Sequence, residues 1–233
     1  MNWNLVVFAF WPYVALAIFV LGHIWRWRSD QYGWTTRTTE LMEKRWLAVA
    51  SPTFHVGLLL VILGHIVGLL IPESWTTAMG IPPHVYHIIA ISLGAVAGVV
   101  FTVGVVMLVL RRFILKTRFR LITRPGDWVM YIVMAIQVVL GLWETLGYGL
   151  FPLAPGFDYR GSVSIWFRSI FALQPNVTLM SGAPLIFQLH AITAFLFFAV
   201  WPFSRLVHVW SVPIGYLTRP PIVYRKQPAT IDR

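Results

Sequence analysis

WLAVASPTFHVGLLLVILGHIVGLLI, residues 46–71, decides the fold class of this 233-residue chain. The stretch contains no Lys, Arg, Asp or Glu, and at about 1.5 Å per residue it is long enough to cross a bilayer as a helix. It also contains two histidines, His55 and His65. An imidazole in hydrocarbon costs free energy unless it is satisfied, so such residues usually face a bundle interior, a cavity or a ligand. The stretch therefore predicts a membrane helix whose histidines have a function.

The rest of the chain has the same character. Hydrophobic residues make up 58% of the sequence and charged residues 11%, which is typical of an integral membrane protein. The predicted fold class is an all-α integral membrane protein, a five-transmembrane-helix bundle forming a single membrane domain over residues 1–233. We expect its helices at about 4–25, 46–71, 84–110, 127–150 and 184–212, with a cytoplasmic tail at 213–233. The first run has no basic start and no small-residue cleavage site, so we interpret it as a retained span.

The basic residues lie in short clusters beside the apolar runs. Fifteen of the eighteen lysines and arginines fall before the second helix, before the fourth helix or in the tail, whereas the segments at 72–83 and 151–183 contain only two. The positive-inside rule then predicts that the N-terminus is outside and the C-terminus is cytoplasmic. The net charge of +10 thus indicates topology and contact with anionic lipid, and not nucleic-acid binding.

The fifth apolar run also carries two histidines, His190 and His208. In the predicted topology, His55 and His208 lie toward the cytoplasm, and His65 and His190 lie toward the outside. A single membrane histidine is more often a packing residue than a ligand, but four in depth-matched pairs favour the axial ligands of two haems between helices 2 and 5. The chain has no cysteine, which excludes thiolate-held clusters and covalent c-type haem.

The two helices space their histidines differently. Ten residues separate His55 from His65, about 15 Å along a helix, whereas eighteen separate His190 from His208, about 27 Å. Helix tilt, inclined haem planes or a kink at Pro202 could absorb the difference. Small residues that would allow close approach of helices or of a flat macrocycle form a stripe on the second helix and a pair on the third, namely Gly57, Gly64, Gly68, Gly94 and Gly98.

Three further features have open interpretations. His84 and His87, on one face at the start of the third helix, could bind a metal, cap the helix or line a mouth. His23 is interpreted as an interfacial residue beside two tryptophans. The segment 149–177 is either an outer interfacial helix or an ordinary loop.

Three stretches taken together resemble the gamma subunit, the b-type cytochrome, of membrane-bound respiratory nitrate reductase. They are HIWRWRSDQYGWT at 23–35, SPTFHVGLLLVILGHIVGLL at 51–70 and FQLHAITAFLFFAVWPFSRLVHVWSVPIGYLTR at 187–219. The resemblance implies two b-type haems in a prokaryotic plasma membrane, with His55 and His208 on the inner haem iron and His65 and His190 on the outer one. It also implies that menaquinol or ubiquinol is oxidised outside. Electrons would pass to an iron–sulfur beta subunit and a molybdenum-containing alpha subunit, which we expect to dock on segments 26–46, 111–124 and the tail from 211.

One position departs from the better-known form of that family. A lysine near the start of the third helix is implicated there in quinol binding, and the aligned residue here is Tyr86. We expect the quinol site at this place, with His87 as proton acceptor, Tyr86 as a hydrogen-bond donor and His84 beside them. Tyr86 and His87 point about 100° apart around a helix, so only one of them faces the site. All three side chains could instead simply lie at the surface where the helix begins.

Two rival functions remain open. The same cytochrome could serve another cytoplasmic reductase, of heterodisulfide or sulfite type. The chain could instead be a transporter or a proton pathway, in which the histidines relay protons or bind a transported metal. The absence of a strong internal repeat and the scarcity of acidic residues inside the predicted helices count against transport.

Overall fold

A computed structural model of the chain contains five helices long and apolar enough to cross a membrane. The structure describes residues 2–35, 43–113, 123–151, 157–211, 218 and 220. The five spans run from Trp3–Ser29, Arg45–Leu70, Pro83–Phe113, Pro125–Leu150 and Leu185–Phe203. The described residues form helices and no strand, so the predicted all-α class with five candidate membrane helices is confirmed. The predicted tail at 213–233, apart from residues 218 and 220, and much of the basic segment 111–124 lie outside the described residues.

The fifth span is α-helical only from Leu185 to Val200, which is shorter than the predicted 184–212. A 3-10 turn, Trp201–Phe203, follows, then the extended residue Ser204 at φ −111° and ψ −179°, and then a second 3-10 segment, Arg205–Ser211. Proline has no backbone N–H and its ring clashes with the preceding turn, so Pro202 ends the α-helix. The backbone therefore reconciles the two histidine spacings by a break near Pro202, because His208 is no longer on the helix of His190.

The second and third spans cross at two glycines. A Cβ atom on Gly57 would lie 2.4 Å from the Phe101 backbone nitrogen, and one on Gly104 would lie 2.4 Å from Phe54 Cα. Neither position can therefore carry a side chain without separating the helices. Gly94 and Gly98 instead face the fourth span, with Thr145 Cγ2 and Leu142 Cδ2 at 3.6 and 3.1 Å from their added Cβ atoms.

The histidine-bearing spans belong to different packing groups. The second span packs mainly on the third, whereas the fifth packs on the fourth and the first. Within the described residues, close backbone approach between the second and fifth spans is sparse. Side chains therefore bridge these two spans, and the histidines are among them.

Two short helices, Val163–Phe171 and Val177–Ser181, occupy the connection before the fifth span. Trp166 and Ile170 of the first are buried in a core that includes Phe8, and the Trp166 indole donates a hydrogen bond of 2.9 Å to the Phe8 carbonyl. The segment 149–177 thus contains a helix with one buried face. This helix anchors the connection to the first span.

Candidate functional site

The structure brings the four membrane histidines together in two pairs. The ring centroids of His65 and His190 are 6.1 Å apart with their planes at 17°, and those of His55 and His208 are 6.2 Å apart with their planes at 80°. These are the pairs that depth matching predicts from the sequence. Their service as iron ligands stays a prediction.

The ring separations suit one metal ion between each pair. Imidazole nitrogen binds zinc, a comparable first-row ion, at about 2.0–2.1 Å, so two imidazoles on opposite sides of one ion have centroids roughly 6 Å apart. Both measured separations agree with that distance. The donor sets therefore fit a bis-histidine haem, with one such group between each pair.

Three of the four imidazoles are held in the tautomer that leaves Nε2 available to a metal. The Nδ1 atoms of His55, His65 and His208 lie 2.8, 2.8 and 2.7 Å from backbone carbonyl oxygens of Ser51, Val61 and Arg205. A carbonyl only accepts, so each Nδ1 carries the proton and each Nε2 keeps its lone pair. Such a hydrogen bond fixes the ring orientation and the tautomer of a ligating histidine.

His190 is held differently. Its Nδ1 makes no hydrogen bond with a described residue, and the nearest acidic oxygen is Oε2 of Glu144, at 3.8 Å. Its backbone carbonyl accepts a 3.3 Å hydrogen bond from the Gln137 side chain. Among the described residues, His190 Nδ1 thus has no acceptor on its own helix, and the charged group nearest to it lies on the fourth span.

Side chains of the connection between the fourth and fifth spans close the C-terminal end of the second span. Ser164 donates to the Gly68 carbonyl at 2.8 Å and Arg168 donates to the Leu69 carbonyl at 2.8 Å. The last carbonyls of a helix have no partner within the helix and need donors from outside it. These contacts lie three and four residues beyond His65, so the connection fixes the helix end that carries this ligand.

Tyr86 lies inside the protein beneath an arginine. It is 8% exposed, and the Arg160 guanidinium carbon lies 3.8 Å from its ring centroid. The same guanidinium donates to the Thr76 hydroxyl and to the Ile71 carbonyl, each at 3.0 Å. Arg160 thus ties the start of the third span to the end of the second.

The Tyr86 hydroxyl also meets a second phenol. A Cβ atom on Gly68 would lie 3.5 Å from the Tyr159 hydroxyl and 3.8 Å from the Tyr86 hydroxyl. Burial raises the pKa of Tyr159, and the Tyr86 hydroxyl beside it raises it further. Tyr159 therefore stays a neutral hydrogen-bonding group next to the second span.

The three predicted quinol-site residues do not share one surface. His84 and His87 are exposed at the start of the third span, while Tyr86 is buried. Among the residues that the structure describes, no group of three or more His, Asp or Glu side chains could hold a metal ion, so the metal interpretation of His84 and His87 gains no third ligand. A quinol site at this place remains a prediction.

An ion pair anchors the segment that carries His208. Arg205 donates from Nε to Asp127 Oδ1 at 2.9 Å and from a terminal nitrogen to Oδ2, and Arg112 lies 4.0 Å from the same carboxylate. On the other side, Arg26 donates to the carbonyls of Pro202 and Ser204, each at 2.7 Å. The broken end of the fifth span is thereby tied to the first and fourth spans.

The described part of the predicted docking segments contains a second ion pair. Arg111 donates from Nε to Glu43 at 2.8 Å, which joins the start of the second span to the end of the third. The hydrogen bond from Arg111 holds the pKa of Glu43 below its ordinary value. Residues 36–42, 114–122 and 212–217 of these segments are outside the described residues.

Both ring nitrogens of His23 are occupied. The Trp210 indole donates to Nε2 at 3.0 Å, so the proton is on Nδ1, which donates to the Phe19 carbonyl at 2.6 Å. No lone pair is left for a metal. His23 packs among aromatic side chains, and its interpretation as an interfacial residue stays a prediction.

Sequence reasoning missed two residues that the structure brings to the histidines or their helix. Glu144 faces His190, although the only signal in the sequence was a carboxyl group in an apolar run. Gly104 is one of the two glycines at which the second and third spans cross, but it was not among the small residues predicted to allow close approach. Both contacts depend on how neighbouring helices are rotated about their axes. A single sequence does not determine this rotation.

Comparison with known proteins identifies the family of this chain. A family model described as "Nitrate reductase gamma subunit" matches residues 4–227. The nitrate reductase gamma chain of Bacillus subtilis is 42% identical over 222 residues, which cover 95% of this chain and 98% of that protein. The respiratory nitrate reductase 1 gamma chain of Escherichia coli is 32% identical over 93% of this chain and 94% of its own length.

A mycobacterial protein is also similar. "Nitrate reductase-like protein NarX" of Mycobacterium tuberculosis is 47% identical over 224 residues, 94% of this chain, and the chain spans about a third of its length, 34%. The full-length matches confirm the resemblance seen in the three sequence stretches. The chain belongs to the nitrate reductase gamma subunit family.

Proposed function

We propose that this chain is the cytochrome b membrane subunit of a respiratory nitrate reductase. In this proposal it oxidises quinol at the outer side of the membrane and passes electrons through two b-type haems toward a cytoplasmic iron–sulfur subunit. The observation that carries the proposal is the pair of imidazole separations, 6.1 and 6.2 Å, between spans that otherwise make little contact. Membership of the gamma subunit family supports it.

The four histidines would hold the two groups, His65 with His190 and His55 with His208. When bound, haem supplies the one-electron chemistry that side chains lack. Two imidazoles fill both axial positions of an iron, so nitrate would find no open coordination site on this chain. We therefore assign nitrate reduction to the molybdenum-containing alpha subunit, reached through the iron–sulfur beta subunit.

The chain's own contacts would keep the ligands rigid. Nδ1–H bonds to backbone carbonyls hold three rings with Nε2 aimed away from their own helices. Rigid ligation is what a protein contributes to an electron carrier.

We place quinol oxidation at the His65 end of the bundle, near the start of the third span. The exposed imidazole of His87 could accept a proton from a quinol that approaches from the lipid. Tyr86 and Tyr159 present two hydroxyls beside Gly68, although Tyr86 would be reached only past Arg160. His87 thus remains the preferred proton acceptor.

The quinol site can be tested with separate His87→Phe and Tyr86→Phe variants of the complete complex. We expect quinol-driven haem reduction to slow in the His87 variant while dithionite still reduces both haems. His23→Phe is a matched control, because both ring nitrogens of His23 already have partners. Unchanged quinol kinetics in the His87 and Tyr86 variants would move the site elsewhere, first toward Gly64.

The partner subunits would dock at the opposite end, where segments 26–46, 111–124 and the tail from 211 carry most of the basic residues. This end lies nearest His55 and His208. Cross-linking of the purified complex should connect these segments to the beta subunit. Cross-links confined to 151–183 would contradict both the docking face and the predicted orientation.

The proposed function is tested by the optical spectrum of the purified chain. Reduction with dithionite should give the α band of a b-type cytochrome, with two haems per chain. A purified, folded chain without haem would overturn the electron-carrier function and favour a histidine-containing transporter.

A further inference from the structure

We propose that Glu144 is a positioning residue for His190, and that its carboxylate accepts the Nδ1–H of that imidazole. The acceptor would set the orientation and the electron donation of one axial ligand at the His65–His190 haem. This inference rests on the proposed haem ligation by His190. It begins from a difference among the four histidines, because His190 alone lacks a backbone acceptor for Nδ1 within the described residues.

The two side chains have complementary unsatisfied groups. Glu144 Oε2 lies 3.8 Å from His190 Nδ1, and both side chains are largely shielded, at 18% and 16% exposure. The other carboxyl oxygen of Glu144, Oε1, is buried without a hydrogen-bond partner, as is His190 Nδ1 itself. The terminal torsion of a glutamate is soft, so a small rotation brings an oxygen within hydrogen-bond distance.

The fourth span is built to receive this histidine. Gln137, Gly141 and Glu144 are four and three residues apart and so lie on one helix face. Gln137 donates to the His190 carbonyl at 3.3 Å, and a Cβ on Gly141 would come within 3.1 Å of His190 Cε1. One residue thus holds the backbone of His190, the next makes room for its ring, and Glu144 reaches the ring nitrogen.

The environment of Glu144 leaves few other roles for it. A carboxyl group in a membrane span is costly unless it has a partner. Among the described residues, the one ion-pair contact recorded for Glu144 is with His190. A packing role alone would be filled at lower cost by Leu or Met.

A carboxylate acceptor changes the ligand electronically as well as sterically. When a ligating imidazole donates its other N–H to a carboxylate, it becomes a stronger donor to the metal. A stronger donor stabilises the oxidised iron, which lowers the midpoint potential of that haem. Carbonyl acceptors at the other three histidines have a weaker effect, so Glu144 would make the two haems unequal.

The test uses full-length chain purified with its two haems. Glu144→Leu removes the acceptor, Glu144→Gln keeps an acceptor oxygen without the charge, and Thr145→Val is the matched control. Thr145 is the next residue, but its hydroxyl bonds within its own helix to the Gly141 carbonyl at 2.9 Å and its methyl faces Gly94. The readouts are haem content, a redox titration that resolves both haems, and ferric electron paramagnetic resonance spectra.

We expect Glu144→Gln to retain both haems and to shift only the His65–His190 component to a more positive potential. Glu144→Leu should shift it further or lose that haem, while the other haem and the Thr145→Val protein stay unchanged. If the Glu144→Leu protein does not accumulate in cells, the redox titration of the Glu144→Gln protein alone tests the inference.

Unchanged potentials and spectra in a two-haem Glu144→Gln protein would overturn the inference and leave the proposed function intact. A folded wild-type chain without haem would overturn the proposed function, and the inference with it.

Discussion

Both histidine pairs have one member on the second span, but the chain holds their partners by different means. His65 and His190 both lie on continuous helices, and their rings are nearly parallel at 17°. His208 lies beyond the break near Pro202, and its ring is almost perpendicular to that of His55, at 80°. Helix packing therefore sets one pair, and a separately anchored segment sets the other.

The anchors of the two pairs also differ in chemistry. The His65 end depends on neutral and cationic donors to helix carbonyls, from Ser164 and Arg168. The His55 end depends on a carboxylate, because Asp127 holds the arginine three residues before His208. Similar ring separations are thus maintained by different anchoring contacts. Substitutions outside the four histidines should therefore affect one pair at a time.

The largest expected effect comes from the histidines themselves. If each pair holds one iron, as we propose, replacing His65 or His190 by Ala should remove one and the same haem component, and replacing His55 or His208 should remove the other. Redox-resolved optical spectra of the four variants measure this. A common component lost in the His65 and His208 variants would contradict the pairing.

The next largest effect is expected at Asp127. In Asp127→Ala, Arg205 and Arg112 lose a shared, largely buried carboxylate, and removing one partner of a buried ion pair costs on the order of 3 kcal/mol. The segment that carries His208 should loosen, so the His55–His208 haem should be lost first on heating. Thermal loss of each haem component, compared with wild type, measures the difference.

A control for Asp127 lies at the other ion pair. Glu43→Ala removes the partner of Arg111, which is not next to a histidine of either pair. We expect both haems to respond equally to that change. A selective loss of the His65–His190 haem in Asp127→Ala would show that the ion pair does not support His208.

Much of this arrangement could be predicted from sequence, and the reasons are physical. Depth in the membrane follows from residue number, so His55 could be matched to His208 and His65 to His190. The end of the fifth helix was harder. Pro202 indicated a kink, but the full break also needs the hydroxyl of Ser204, which donates to the Trp201 carbonyl and accepts from the Leu206 amide.

Contacts that depend on helix rotation could not be predicted. Tyr86 was expected to be able to face a quinol, yet Arg160, more than seventy residues away in the chain, covers its ring. Glu144 reaches His190 only because the fourth span presents the face of Gln137 and Gly141 to the fifth. Such pairings depend on packing between distant segments and leave no local pattern.

A smaller effect is expected at the glycine crossing between the pairs. Gly57 lies between His55 and His65, and a methyl group there would meet the Phe101 backbone at 2.4 Å, so Gly57→Ala should cost about 1–3 kcal/mol. Both haems should become less stable, because the whole second span must move. Gly94→Ala is the control, because the nearest atom to a Cβ at that position lies at an ordinary 3.6 Å. Equal stability of the two variants would contradict the close helix contact at Gly57.

The smallest expected effect is spectroscopic. Each axial imidazole interacts through its π orbital with one iron d orbital in a direction set by its ring plane. Parallel rings act on the same orbital and separate the two d orbitals in energy, whereas perpendicular rings act on different orbitals and keep them close. The His55–His208 haem, at 80°, should therefore give the more anisotropic ferric electron paramagnetic resonance signal, and the His65–His190 haem, at 17°, the less anisotropic one.

The signals are assigned by recording them in the His208→Ala and His190→Ala variants. If the His190→Ala protein, which keeps only the His55–His208 pair, gave the less anisotropic signal, the ring planes of the two sites would be reversed, and the break near Pro202 would no longer explain their difference.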